Sequence, residues 1–271
     1  LRTPNATLVS AINAEGAWNL VTPNPALVVA VLDTGVLGNH ADLAGRVLAG
    51  YDMVSETAEG NDGSARDPDA SDPGDWVTSA EDSNPRGAFH DCGVGDSSWH
   101  GTMVSGIIGA ASNNGIGMAG IASGVRILPV RVLGKCGGFT DDIVAGMYWA
   151  AGKAVPGVPA NPNPARVLNL SLGGDGACPK VYSDAVNELT APPYNAVIVV
   201  AAGNSAGLAV GNPANCAGVV AVAGLRHAGS KVGFSDLGPE ITVAAPGGNC
   251  VNTAPGTPCL YPILASSNTG K

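Results

Sequence analysis

Three residues at the edges of apolar runs have the types needed for acid–base chemistry at a carbonyl. Asp33 closes the first run, Val31-Leu32-Asp33-Thr34-Gly35. His100 heads His100-Gly101-Thr102-Met103-Val104-Ser105-Gly106, where small residues lead into an apolar stretch. Asn204 ends Val199-Val200-Ala201-Ala202-Gly203-Asn204. An aspartate at a buried strand end can orient and polarise an imidazole, and a histidine at the head of a packed helix is held firmly enough to act as a base. A side-chain amide at a strand end can stabilise an oxyanion.

The elements that would carry these groups can be read from the apolar pattern. Runs at Leu27–Leu32, Val125–Leu133, Arg166–Ser171, Ala196–Ala201 and Val219–Ala223 are short, unalternating and rich in Val and Ile. Strands buried on both faces look like this. Helices are expected at Ala6–Leu20, Thr140–Ala154 and Pro179–Thr190. Thr140 suits the N-cap of the second, with Asp141 and Asp142 in its first turn. Strand–helix alternation predicts an α/β fold with a mainly parallel sheet, whose sites lie at the carboxyl ends of strands.

Composition narrows the function. A chain of 271 residues is long enough for one large domain, and 45% hydrophobic content excludes disorder. A net charge of −9 argues against nucleic acid or an anionic membrane as partner. No run approaches the roughly 18 apolar residues of a membrane span. A start at Leu1 rather than Met is what a processed, secreted protein would show. Six cysteines suit an oxidising compartment, and no Cys-x-x-Cys spacing points to zinc.

The order Asp33, His100, Asn204 resembles that of the subtilisin-like serine proteases, the subtilases. So do further blocks: His40-Ala41-Asp42-Leu43, Asn169-Leu170-Ser171-Leu172-Gly173-Gly174, and Phe234-Ser235 with Ala244-Ala245-Pro246-Gly247. The resemblance covers nearly the whole chain. It implies a three-layer α/β fold, with a mainly parallel central sheet flanked by helices, in a single catalytic domain over 1–271. It implies a secreted, extracellular serine endopeptidase acting on proteins or peptides. Asp33 and His100 would belong to its triad, and Asn204 would be the oxyanion donor. Leu133, Gly134, Ser171, Leu172, Gly173, Ala202 and Gly203 would bind substrate. The family's Gly-Thr-Ser block should follow Pro246 by some tens of residues, so the nucleophile is expected beyond Lys271, in a companion C-terminal segment. Three disulfides suit such a protein, and the resemblance suggests Cys92–Cys136, Cys178–Cys216 and Cys250–Cys259 among fifteen formal connectivities.

Two segments could hold calcium. Asn61–Asp75 carries Asp62, Asp67, Asp69, Asp72 and Asp75, which would repel one another unless a hard cation or solvent relieved them. Ser112-Asn113-Asn114-Gly115-Ile116-Gly117-Met118 resembles the family's first calcium loop, with Asn114 and Asp42 as ligands, although it is one residue longer.

Other readings remain. Gly203-Asn204-Ser205-Ala206-Gly207 fits a nucleophile elbow, but the acid-then-histidine order an α/β-hydrolase needs does not follow Ser205. Leu32-Asp33-Thr34-Gly35 fits an aspartic-protease motif, which requires an all-β fold. An inactive, binding homologue on a protease scaffold is the third.

Overall fold

The computed structural model describes residues 3–21, 24–249 and 261–271. In chain order the elements are α1 (Ala14–Trp18), β1 (Val28–Asp33), a 3₁₀ turn (Ala41–Leu43), β2 (Tyr51–Asp52), α2 (Thr57–Gly60), α3 (Ser79–Asp82) and α4 (His100–Gly109). There follow β3 (Arg126–Arg131), α5 (Thr140–Ala150), β4 (Val167–Leu170), α6 (Lys180–Thr190), β5 (Val197–Ala201), β6 (Val220–Leu225) and β7 (Ile241–Pro246). They fall into two compact units: Pro25–Asn169 with Pro193–Ala196 and Ala265–Lys271, and Leu1–Asn24 with Leu170–Pro192 and Val197–Leu264.

In the first unit β1 pairs in parallel with β3, from Val28↔Arg126 to Asp33↔Arg131, and with β4, from Val29↔Val167 to Val31↔Asn169. β2 adds in parallel beyond β3. Alternation along β1 decides where the aspartate points. Val29 and Val31 lie on the face that packs with Ile127 against Val104 and Ile108 of α4. Asp33, two residues on, shares that face and so looks toward the head of α4. Ala30 and Leu32 turn the other way, where a Cβ on Gly146 of α5 would stand 2.6 Å from Val132 and 3.5 Å from Leu32. Burying Leu32 completely contributes about 1.5–3 kcal/mol.

The second unit holds β5 and β6 in parallel from Val199↔Val220, and β6 and β7 in parallel from Ala221↔Ile241. α6 covers β5 with Tyr182, Ala185, Val186 and Leu189, the apolar stripe of a 3.6-residue period.

The five strand runs and two of the three helices lie where the sequence places them, and the mainly parallel α/β architecture holds in each unit. Residues 6–20 do not: only Ala14–Trp18 is helical. Asn13 takes left-handed φ 52°, and the Asn5 side chain accepts the N–H groups of Thr7 and Leu8, so the start of the segment is turn. The N-cap of α5 is Phe139, not Thr140, and no side chain caps it. Asp142 is instead buried, taking Arg66 at 2.6 Å and the Ser55 N–H and hydroxyl at 2.9 Å.

Two disulfides form as expected, Cys92–Cys136 in the first unit and Cys178–Cys216 in the second. The first spans 44 residues, worth about 4 kcal/mol by chain entropy. The Cys250–Cys259 pairing lies outside the described residues. Beside Cys136, Lys135 pairs with Glu81 at 2.5 Å, with its Nζ 5.3 Å from the Trp76 ring centre and 5.0 Å from that of Phe89. That hydrogen bond, helped by those from the Thr78 hydroxyl and N–H, holds the Glu81 carboxyl down to about 2.

Candidate active site

The strand end and the helix head meet. His100 Nδ1 lies 2.8 and 2.9 Å from the two oxygens of Asp33, which is fully buried. A carboxylate only accepts, so Nδ1 carries the proton and Nε2 is left as the basic nitrogen. Nε2 has no hydrogen-bond partner among the described residues, and the ring is 37% exposed. Asp33 is itself held, accepting the Thr34 N–H at 2.8 Å. The close approach depends on Gly101, since a Cβ there would collide with the Gly35 carbonyl oxygen. The hydrogen bond to Asp33 lifts the His100 pKa above its ordinary 6.5 against the opposing effect of burial. The charges of Asp33, Asp75 and Asp72 add to the lift.

In the second unit, Asn204 sits on an exposed turn after β5, and its side chain bonds to no other described residue. The turn is built around Asp236, a residue that no sequence motif marks. Its Oδ1 accepts the N–H groups of Ser205, Gly207 and Leu208 at 2.9, 3.2 and 3.1 Å, and its own N–H donates to the Gly203 carbonyl at 3.0 Å. Gly203, at φ 113°, leaves no room for a Cβ beside the Asp236 carboxylate. Gly173, Ala202, Gly203 and Asn204 line a cavity of about 70 Å³ with Asp236 at its wall. Ser171 and Leu172 are half-buried on the adjoining chain. Back in the first unit, Leu133 is half-buried, and the Gly134 N–H is already donated to the Gly137 carbonyl at 2.7 Å.

Ser205 is not a nucleophile elbow. That motif needs a strand, a sharp turn and a helix, whereas no helix follows β5 before β6. The parallel pairing likewise leaves no place for an all-β aspartic protease.

Asp42 and the loop after α4 do come together. The loop Ala111–Ala119 lines an open pocket of about 210 Å³, and a Cβ on Gly117 would strike the Asp42 carboxylate. Asp42 is 3% exposed; its Oδ2 accepts from the Ser266 hydroxyl at 2.7 Å, while the buried Oδ1 has no partner. A buried carboxylate with one unpartnered oxygen, packed against this loop, has the chemistry of a hard-cation ligand. Asn114 fits less well, because its Oδ1 accepts the Ile116 N–H at 3.1 Å.

The acidic stretch is arranged differently from the calcium expectation. Among the described residues no three acidic, histidine or cysteine side chains gather as a metal cluster. Asp62 pairs with Arg131 at 2.7 Å. Asp67 accepts from the Ser64 hydroxyl and the Asp69 N–H, and Asp69 accepts the Ser71 N–H. Asp72 accepts the Thr34 hydroxyl. An arginine, hydroxyls and turn N–H groups relieve the repulsion that a cation was expected to relieve.

Comparison with known proteins adds family information. The sequence profile of the Subtilase family matches residues 24–270. An extracellular protease of Xanthomonas campestris pv. campestris is 44% identical over 266 residues, covering 93% of this chain and 43% of that protein. An extracellular basic protease of Dichelobacter nodosus is 41% identical over 245 residues, covering 89% and 40%. The chain thus spans less than half the length of these curated relatives. A solved structure titled as proteases from Pseudoalteromonas arctica PAMC 21717 superposes with TM-score 0.78 at 46% identity, covering 91% of this chain and 68% of that one.

Proposed function

The chain belongs to the Subtilase family, and from that premise we propose that it is the catalytic domain of a secreted serine endopeptidase that cleaves peptide bonds in proteins. The family match runs through both units, which supports reading them as one domain. The observation that carries the reading is the bond between a fully buried aspartate and a half-open imidazole.

In this reading Asp33 fixes the His100 tautomer and stabilises the imidazolium that forms. His100 Nε2 takes the proton of a serine hydroxyl as the oxygen attacks the carbonyl, then returns it to the leaving amine. Asn204 donates its amide to the developing oxyanion, a role worth about 2.7–4 kcal/mol in subtilisin itself. Ser171, Leu172 and Gly173, and separately Leu133 and Gly134, bind substrate backbone, while Ala202 and Gly203 shape the turn. The nucleophile is assigned to a serine in a companion segment outside these residues.

The test is covalent labelling of the full-length protein with a fluorescent phosphonate, followed by peptide mapping. Label is expected on a serine outside residues 1–271, together with casein hydrolysis. Label on Ser205 would restore the hydrolase reading, and neither label nor hydrolysis would leave an inactive binding homologue.

Calcium is the second part of the proposal. Asp42, with carbonyls and Asn114 of the 112–118 loop, would hold a structural ion, which neutralises the buried carboxylate when bound. A ligand that binds only the folded state raises its melting temperature with concentration. Calcium is therefore expected to raise the Tm, and Asp42→Asn to abolish the rise. Superimposable melting curves in calcium and chelator would remove the site.

A further inference from the structure

We propose that Asp72 is a positioning residue for the Asp33–His100 pair, acting through the hydroxyl of Thr34. This rests on the catalytic roles proposed above. Asp72 is 4% exposed and uses both oxygens: Oδ2 accepts the Thr34 hydroxyl at 2.7 Å and Oδ1 accepts the Gly74 N–H at 2.9 Å. An ionised carboxylate offers only acceptors, so the single Thr34 hydroxyl proton is committed to Asp72. The hydroxyl lone pairs are thereby turned to the N–H of Gly101, 3.1 Å away and next to His100. The Thr34 N–H meanwhile donates to Asp33 Oδ1. One threonine therefore fixes the acid through its backbone and the helix bearing the base through its side chain, and Asp72 sets the direction of that second bond.

Packing fixes the same three segments in register. A Cβ on Gly35, at φ 103°, would stand 2.9 Å from the Asp72 backbone, and one on Gly101 would strike the Gly35 carbonyl. The loop, the 34–35 turn and the first turn of α4 are thus stacked without side chains between them. The Val36 N–H donates to the Ala70 carbonyl at 3.1 Å and the Leu37 N–H to the Thr102 hydroxyl at 2.9 Å, so the stack cannot slide. The acidic groups facing His100 are Asp33, Asp75, which accepts the Ser98 N–H and hydroxyl, and Asp72 itself.

The near-isosteric Asp72→Asn has one acceptor oxygen where two donors arrive. Either the Gly74 N–H faces an NH₂ group or the Thr34 hydroxyl is turned off Gly101. In the full-length protein, kcat is expected to fall about tenfold or more with KM within about twofold, because the base is displaced while substrate binding is not. The acid limb of the kcat/KM–pH profile should move down, since a carboxylate facing His100 is lost. Thr34→Val should match the kcat loss and Thr34→Ser should recover most of it. The double variant Asp72→Asn/Thr34→Val should be no worse than Thr34→Val alone.

Unchanged kcat and midpoint in Asp72→Asn, or additive losses in the double variant, would overturn the assignment. Should Asp72→Asn fail to fold, equal kcat in Thr34→Val and Thr34→Ser would overturn it instead. His100→Ala measured alongside separates the two levels. An inert His100→Ala with a parent-like Asp72→Asn removes only the role of Asp72, whereas an active His100→Ala removes the catalytic reading as well.

Discussion

Replacing His100 with alanine, or Asp33 with asparagine, is expected to lower kcat/KM for casein by at least about 10⁴-fold in the full-length protein, while both variants unfold as cooperatively as the parent. The magnitude is that known for removing triad members in subtilisin. The physical reason is local: asparagine cannot hold Nδ1–H with a charge, and alanine leaves no base. The pH profile of the parent carries the same information. His100 must be neutral to accept a proton, and its partners hold its pKa above 6.5, so the acid limb should have its midpoint above that value. For stability the sign is opposite. The bond favours the charged ring, so its contribution is complete below 6.5 and is lost as pH rises through the elevated pKa. Undiminished digestion by purified His100→Ala, free of contaminating protease, would defeat the assignment.

Arg131→Met should be the most destabilising single change outside the site, costing about 3–5 kcal/mol in urea unfolding. Arg131 and Asp52 are each 1% exposed and 2.5 Å apart at the paired ends of β3 and β2. The same guanidinium reaches Asp62 and the Gly60 carbonyl. Methionine fills the space but strands the carboxylate. Burial already pushes the Asp52 carboxyl up to about 7 from its usual 3.8, with Arg131 the main restraint. A raised carboxylate contributes most below its unfolded pKa, and that contribution is lost as pH rises through about 7. Without Arg131 the group rises further, so at about pH 5 it is neutral with or without the arginine, while at about pH 8 it must either keep a buried unpaired charge or hold a proton the unfolded chain would release, and both are costly. The deficit should therefore be larger at the higher pH. Equal deficits at both, or a loss below about 1 kcal/mol, would show that the network carries little of the stability.

What was legible in the sequence follows from how each feature is encoded. β1 was legible because a strand buried on both faces must be an unbroken apolar run. Asp33 stood out because it ends one. His100 was legible through Gly101, the residue that lets α4 touch the 34–35 turn. Two features were illegible because the partners lie far apart along the chain. Nothing near Asp62 announces Arg131, which closes a run that reads as core, so the acidic stretch looked uncompensated. The role of Asp236 was invisible because backbone N–H groups leave no mark on residue type. The N-terminal segment differs for a local reason: the left-handed backbone of Asn13 starts the helix only at Ala14.

Three amide dipoles converging on one buried carboxylate have a consequence for how the Gly203–Leu208 turn behaves as solvent. Water around a forming oxyanion must rotate its dipoles into place, and that rearrangement raises the barrier. A turn whose amides are already tied to Asp236 has little freedom left to rearrange. In the proposed role Asn204 would meet the nascent charge from a backbone frame set when the chain folded, and only its own side chain would remain to be ordered in the activation step.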